Sequence, residues 1–226
     1  MTPLGWLTFW SVAFAATHLL MSHPLRAPMV RAFGGEKGFG IVYSIVSLVT
    51  LVMAARSYAP AREAATMLWS SGDAGWIAGT LMMWFGSILF VGSLVKNPAL
   101  PHPDADAMTA RPATGVFAIT RHPMMWGFAL WSATHILVNP TWPSIVPALA
   151  ILVTALGGAA GQDVKKRTLM GDGWRDWEKR TGFVPFARGF HLPGAFALVG
   201  GTIVFLLATY AHGWFGAMPS GPWIWL

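Results

Sequence analysis

Long apolar runs, almost free of charge and separated by short polar stretches, make up most of this chain. Six stand out, at residues 4–22, 39–55, 74–95, 123–139, 142–161 and 194–215. Each is close to the roughly 20 residues an α-helix needs to cross the hydrocarbon of a bilayer. The pattern predicts an all-α, polytopic membrane protein with six transmembrane helices in one domain, residues 1–226. The first run has no Lys or Arg before Leu4. It lacks the basic leader of a signal peptide and is read as a span. Only Asn139-Pro140-Thr141-Trp142 separates the fourth and fifth runs, so they should form an antiparallel helical hairpin. Between Gly171 and Gly182, Trp174 and Trp177 alternate with Arg175, Lys179 and Arg180. That spacing predicts a short amphipathic helix lying on the cytoplasmic membrane surface.

Charge sets the orientation. Of the 15 Lys and Arg residues, 13 fall in the first, third and fifth connections and 2, Arg56 and Arg62, in the second. The fourth connection and both tails have none. The positive-inside rule then places both termini outside the cytoplasm, and the shared side requires an even number of crossings. The expected location is the inner (plasma) membrane, crossed many times. Trp6, Trp10, Trp69, Trp76, Trp142, Trp214, Trp223 and Trp225 lie near span ends, as an interfacial aromatic belt requires. Gly79, Gly86, Gly157, Gly158, Gly200 and Gly201 lie inside spans, where small residues let helices approach closely.

Composition agrees. Apolar residues are 54% of the chain and charged residues 11%, against roughly a quarter charged in soluble domains. With no cysteine, disulfides, thiolate catalysis, iron–sulfur clusters, palmitoylation and covalent C-type haem are excluded. The net charge of +6 is spread through short loops with no nucleic-acid-binding signature. It reads as membrane orientation, and no nucleic acid is expected as a partner.

Candidate chemistry is sparse. Acidic residues are few, with Asp73 and Asp163 at span edges, so paired-carboxylate hydrolysis has little to stand on. No zinc-spaced His/Glu pair or phosphate-cradling Gly-rich loop is present. Histidines remain. His18 and His135 lie inside the first and fourth spans, and His212 lies near the end of the sixth. His23, His102, His122 and His191 belong to the connections. A polar side chain at membrane depth is costly and usually has a reason. Without a carboxylate in these spans, an imidazole pair points to iron, as in membrane cytochromes of the B type. The plainer alternative is that each histidine bonds a carbonyl or hydroxyl of a neighbouring helix.

Helix geometry limits the pairs. His122 and His135 are 13 positions apart, about 20 Å along a helix and about 220° around it. They cannot serve one iron together. His18 and His23 face about 140° apart by the same geometry. An axial pair must therefore combine spans, as His18 with His135 or His23 with His122. His122 also sits in Thr120-Arg121-His122-Pro123. Thr120 is a cap for the following helix and Pro123 suits its first turn. Free backbone N–H groups beside Arg121 would make an anion site for haem propionates, a lipid headgroup or a cosubstrate carboxylate. An ordinary positive-inside anchor is the simpler reading of the same residues.

These motifs carry a resemblance. Ser22-His23-Pro24-Leu25-Arg26, Tyr43-Ser44-Ile45-Val46-Ser47-Leu48, Arg121-His122-Pro123-Met124-Met125-Trp126-Gly127 and Leu130-Trp131-Ser132-Ala133-Thr134-His135-Ile136-Leu137 with Asn139 resemble the NnrU family. Gly173-Trp174-Arg175, Arg180-Thr181, Val184-Pro185-Phe186 and His212-Gly213-Trp214-Phe215-Gly216 match as well. The likeness covers nearly the whole chain. It extends to the 15-cis-zeta-carotene isomerases, which bind non-covalent haem B and isomerise a polyene without net redox change. That resemblance implies haem B here, with His18 and His135 as axial ligands and Arg121 and His122 nearby. Aligning the early segment needs a one-residue gap before Arg26, which keeps His23 as a rival. The family's namesake implies a role in denitrification and nitrogen-oxide metabolism.

A second resemblance, to membrane isoprenylcysteine and methanethiol methyltransferases, covers Arg121-His122-Pro123, Asn139-Pro140 and Trp177, Arg180, Pro185 and Phe186. It implies S-adenosylmethionine as cosubstrate, its carboxylate held by Arg121 and His122. The chain departs from that pattern at Met125, where those enzymes carry Tyr. It departs again at Gln162-Asp163-Val164-Lys165-Lys166, where they carry a glutamate pair. Lysines there remove acceptors for a cationic cosubstrate. Either reading implies a lipophilic small molecule and membrane lipid as partners. No catalytic residue is assigned.

Overall fold

A computed structural model describes residues 1–63, 65–100, 103–215 and 219–226. Among the described residues there are ten α-helices, two 3-10 helices and no strand. Five helices are long and apolar enough to cross a membrane: Pro3–Ser22 (α1), Glu36–Arg62 (α3), Gly72–Gly92 (α4), Trp142–Met170 (α8) and the segment Ala195–Trp214, which begins with Ala195–Ala211 (α10). The fourth expected span is Pro123–Val138 (α7), 16 residues long and so about 24 Å. Short helices not expected from the sequence are Arg26–Ala32 (α2), Ala105–Ala110 (α5) and Val116–Ile119 (α6). The expected amphipathic helix is Asp172–Arg180 (α9).

The chain divides into two compact units. One holds residues 1–70 and 135–161, the other 71–134 and 162–226. In the first, Thr2 caps α1 by accepting from the Gly5 N–H at 3.1 Å, with Pro3 in the first turn. The helix packs on α3 through a narrow stripe of Leu7, Ser11 and Ala15. This four-residue spacing follows one face of a helix. The return into α3 passes through Gly34 and Gly35, at φ +73° and +110°. Ile41, Ile45, Leu48 and Val52 of α3 are exposed. An outward apolar surface of this kind fits lipid rather than water.

In the second unit, α4 and α10 pack together through absent side chains. A Cβ on Gly201 would stand 2.5 Å from the Cα of Ile88. A Cβ on Gly127 would stand 2.9 Å from the Gly86 carbonyl oxygen. Gly158 of α8, expected to do the same, has nothing within 4 Å; close approach is local to particular crossings. Gly201→Ala must displace backbone and should cost about 1–3 kcal/mol. Gly158→Ala should be neutral or stabilising. Thermal unfolding of the two purified variants checks the contrast, and equal melting temperatures would refute it.

The core of this unit joins Ile88, Leu89, Val116, Phe117, Ile119 and Ala197 to Trp174 and Trp177 of α9. This corrects one expectation. Trp174 is 0% and Trp177 3% exposed, so the apolar face of α9 is spent on protein, not on a lipid surface. Its outer face is neutralised by Asp172–Arg175 and Asp176–Lys179 pairs. Two tryptophans assigned to the belt also have definite partners. The Trp69 indole donates to the Leu137 carbonyl at 3.2 Å. That of Trp223 donates to Thr209 Oγ1 at 3.0 Å and the Leu206 carbonyl at 3.3 Å.

Candidate functional site

Two histidine clusters stand out, one in each unit. In the second unit, α6 ends at Ile119 with Thr120 as its C-cap, and α7 starts at Pro123. The intervening Arg121 and His122 are pinned by backbone and hydroxyl bonds. The Arg121 N–H donates to the Gly182 carbonyl at 2.8 Å. Thr120 Oγ1 donates to the Phe183 carbonyl at 2.6 Å and accepts from the His122 N–H at 3.3 Å. Thr120 is therefore the C-cap of α6 and not the expected cap of α7: its hydroxyl accepts from the His122 N–H, ahead of the first turn of α7.

The two side chains converge on a carboxylate from α8. Asp163 Oδ1 lies 2.8 Å from His122 Nε2. Arg121 Nε donates to Asp163 Oδ1 and Oδ2 at 3.1 and 3.0 Å, and its Nη2 donates to Oδ2 at 2.6 Å. The Trp174 indole of α9 adds a fourth donor, at 3.3 Å from Oδ1. His122 is 2% and Asp163 4% exposed. An ionised carboxylate only accepts, so Nε2 carries the proton. The remaining nitrogen, Nδ1, is buried without a hydrogen-bond partner among the described residues. Phe183 packs edge-on against the imidazole, centroids 5.3 Å apart, and beneath the guanidinium at 5.4 Å. Outside the cage, Glu178 lies 3.8 Å from Arg121 Nη2, and Arg167 clamps it with two bonds of 2.8 Å.

A further expectation changes here. The acid that the sequence left at a span edge, Asp163, stands beside His122, so Arg121 is not waiting for an exogenous anion. Asp163 takes Nε and Nη2, and the Thr181 carbonyl takes Nη1 at 3.3 Å. The available signal was Asp163 itself, which is the only acid between residues 143 and 171. A lone acid closing an apolar helix needs a cationic or hydrogen-bonding partner, and Arg121-His122 is the obvious one.

In the first unit, His18 of α1 faces α3. Its Nδ1 lies 3.2 Å from Ser47 Oγ, the contact with a neighbouring helix hydroxyl expected of an ordinary membrane histidine. Phe14 and Tyr43 flank the ring, with centroids 5.0 and 4.9 Å away. Tyr43 and Ser47 are one helical turn apart, so both address His18 from one face. The bond on Nδ1 leaves Nε2 as the metal-capable nitrogen. His23 closes α1, and its ring lies against Gly161, where a Cβ would fall 2.3 Å from Nε2. His135 lies in the last turn of α7 and belongs to the same compact unit as His18 and His23. His122 belongs to the other. His191 is exposed, and His212 Nδ1 lies 2.7 Å from the Ala208 carbonyl. His102 lies outside the described residues. Among the described residues no three His, Asp or Glu side chains gather as a metal-ion site; an axial pair is a smaller set than that.

Comparison with known proteins follows the same residues. The family model described as NnrU protein matches residues 6–220. The chain belongs to the NnrU family. Two curated relatives of this NnrU chain are chloroplastic 15-cis-zeta-carotene isomerases. The protein from Zea mays is 25% identical over 158 residues, covering 68% of this chain and 42% of the relative. That from Arabidopsis thaliana is 25% identical over 164 residues, covering 69% and 43%. The chain thus spans less than half the length of the relatives it matches. No solved structure matches it.

Proposed function

We propose that this NnrU-family protein is a multi-pass membrane protein that holds haem B between His18 and His135 and isomerises a cis double bond of a lipophilic polyene. The observation that carries the proposal is the similarity to two zeta-carotene isomerases over about two-thirds of the chain. The first unit contributes a histidine whose donor chemistry suits the group. Ser47 holds Nδ1 of His18 at 3.2 Å, as an outer-shell partner does for a metal-bound imidazole. His23 and His122 are the weaker pair, because Nε2 of His122 is committed to Asp163. When bound, the haem would supply an iron centre able to act on the polyene only once one axial imidazole gives way; the chain supplies the imidazoles and, around His18, the aromatic walls of Phe14 and Tyr43.

The accompanying topology has six crossings, with α7 and α8 as a hairpin, both termini on the non-cytoplasmic side, and α9 cytoplasmic. The distribution of 13 bases against 2 supports it, as does the apolar sequence of α7. The whole described chain acts as one membrane domain in the inner membrane. A part in nitrogen-oxide metabolism would use the same iron. The methyltransferase reading loses ground, because the guanidinium it needs for the S-adenosylmethionine carboxylate is occupied by Asp163.

The test is direct. Protein made in cells supplied with haem precursor should purify with a Soret band and, once reduced, the sharp α band of low-spin bis-imidazole iron. The same protein in liposomes should convert 15-cis-zeta-carotene to another geometric isomer, resolved by chromatography. Colourless protein that takes up no added haemin, and leaves the polyene unchanged, would defeat the proposal.

A further inference from the structure

A cleft of about 720 Å³ opens beside the C-terminal end of α4, within the second unit. Its walls are of two kinds. Leu94, Val95, Leu100, Ala107 and Met108 are apolar, while Lys96, Asn97, Asp104 and Arg111 are polar or charged. The volume is that of a small-molecule site. Among the described residues that line it, two carry a positive charge and one a negative.

The turn that follows Lys96 is buried and hydrogen-bonded. Asn97, Pro98 and Ala99 are buried. Asn97 Oδ1 accepts from the Ala99 N–H at 3.0 Å, and from below the buried Lys166 Nζ donates to the Pro98 carbonyl at 2.8 Å. Lys96 itself is at φ +55°, a left-handed conformation unusual for a residue with a side chain. Lys96 is exposed and follows the exposed Leu94 and Val95 in the lining of the cleft. On the opposite wall the Arg111 carbonyl accepts from Arg180 Nη1 at 3.1 Å, which anchors that residue's backbone and leaves its guanidinium exposed.

Position adds the last element. α4 has 21 residues, about 32 Å of helix, so residues just past Gly92 stand at the boundary between hydrocarbon and water. Two cations beside exposed aliphatic side chains, at that depth, match an amphiphilic anion. We propose that this cleft binds the headgroup of an anionic phospholipid, with Lys96 and Arg111 on the phosphodiester and Leu94 and Val95 along the upper acyl chains. Basic pockets at helix ends recognise lipids in this way. The proposal rests on α4 crossing the bilayer, and not on the haem.

Native mass spectrometry of the detergent-purified chain tests it, with phosphatidylglycerol, phosphatidylcholine of the same acyl chains, and glycerol 3-phosphate as probes. Each cation contributes about fivefold in affinity toward a lipid of net negative charge, and the choline ammonium cancels that advantage in phosphatidylcholine. Against the repulsion of Asp104, wild type should prefer phosphatidylglycerol by about tenfold. K96A/R111A, and the length-preserving K96Q/R111Q, should fall to within about twofold of phosphatidylcholine binding. R175A/K179A, which removes two exposed cations of α9, should keep the preference. Wild type that does not discriminate, or both cleft variants retaining the preference, would overturn the proposal. So would glycerol 3-phosphate binding as tightly as the lipid, since it would assign the cleft to a soluble anion.

Discussion

Asp163→Ala is expected to collapse the second unit. The substitution takes the Asp163 acceptor from Arg121 Nε and Nη2, from His122 Nε2–H and from the Trp174 indole, and leaves the guanidinium only its Nη1 bond to the Thr181 carbonyl. Arg121 and His122 side chains are 11% and 0% exposed, so water cannot replace the carboxylate. Removing one partner of a buried pair costs about 3–5 kcal/mol, a large part of the stability of any domain. Glu178, 3.8 Å from Arg121, offsets part of this. Asp163→Asn keeps one acceptor oxygen without its charge and should fall between wild type and Ala. The informative variant removes the ion pair at both ends. A buried ion pair replaced by apolar residues is often nearly neutral, so R121L/D163L should recover the ion-pair part of what D163A loses, while His122 Nε2–H and the Trp174 indole still lack their acceptor. Melting temperature and monodispersity of the solubilised protein measure all three. D163A as stable as wild type would show that the cage holds nothing together.

The same cage shows why sequence alone reaches only so far. The spans are legible because lipid imposes one rule on every residue of a crossing helix, and composition reports it. α1 follows the expected 4–22 almost to the residue. Length was harder. α8 runs to Met170, well past the expected end at 161, because Lys165, Lys166 and Arg167 continue a helix as readily as they leave one. Helix facing was not legible at all. Leu7 is buried and Phe9 exposed on α1, yet both are apolar, since a membrane helix shows apolar side chains to lipid and to protein alike. The spacing of Trp174 and Trp177 showed that α9 has an apolar face but not what that face meets. Asp163 and His122 are 41 positions apart, and no local pattern links them. His18 was legible as a candidate from its depth, but Ser47 and Tyr43, which set its ring, were visible only as part of a family motif.

His18→Ala should leave a folded protein without the low-spin spectrum. The residue is on α1 and makes none of the bonds of the Asp163 cage, and the helix keeps its packing stripe of Leu7, Ser11 and Ala15. Truncation removes one imidazole of the proposed axial pair, so the sharp α band of the reduced protein should disappear. His135→Ala should do the same from the other side. Ser47→Ala is the finer probe. It deletes the hydroxyl 3.2 Å from His18 Nδ1 while leaving both imidazoles, so the band should remain. Outer-shell partners of a metal-bound histidine are worth about 10–100-fold in affinity; haem should therefore bind more weakly by that order and the reduction potential should move. Phe14→Leu, next to the same ring but without a hydrogen bond to it, should leave the potential closer to wild type. If His18→Ala and His135→Ala both keep the full spectrum, the axial pair is misassigned. If they lose it while Ser47→Ala matches wild type in affinity and potential, the pair stands and the Ser47 contact is packing alone.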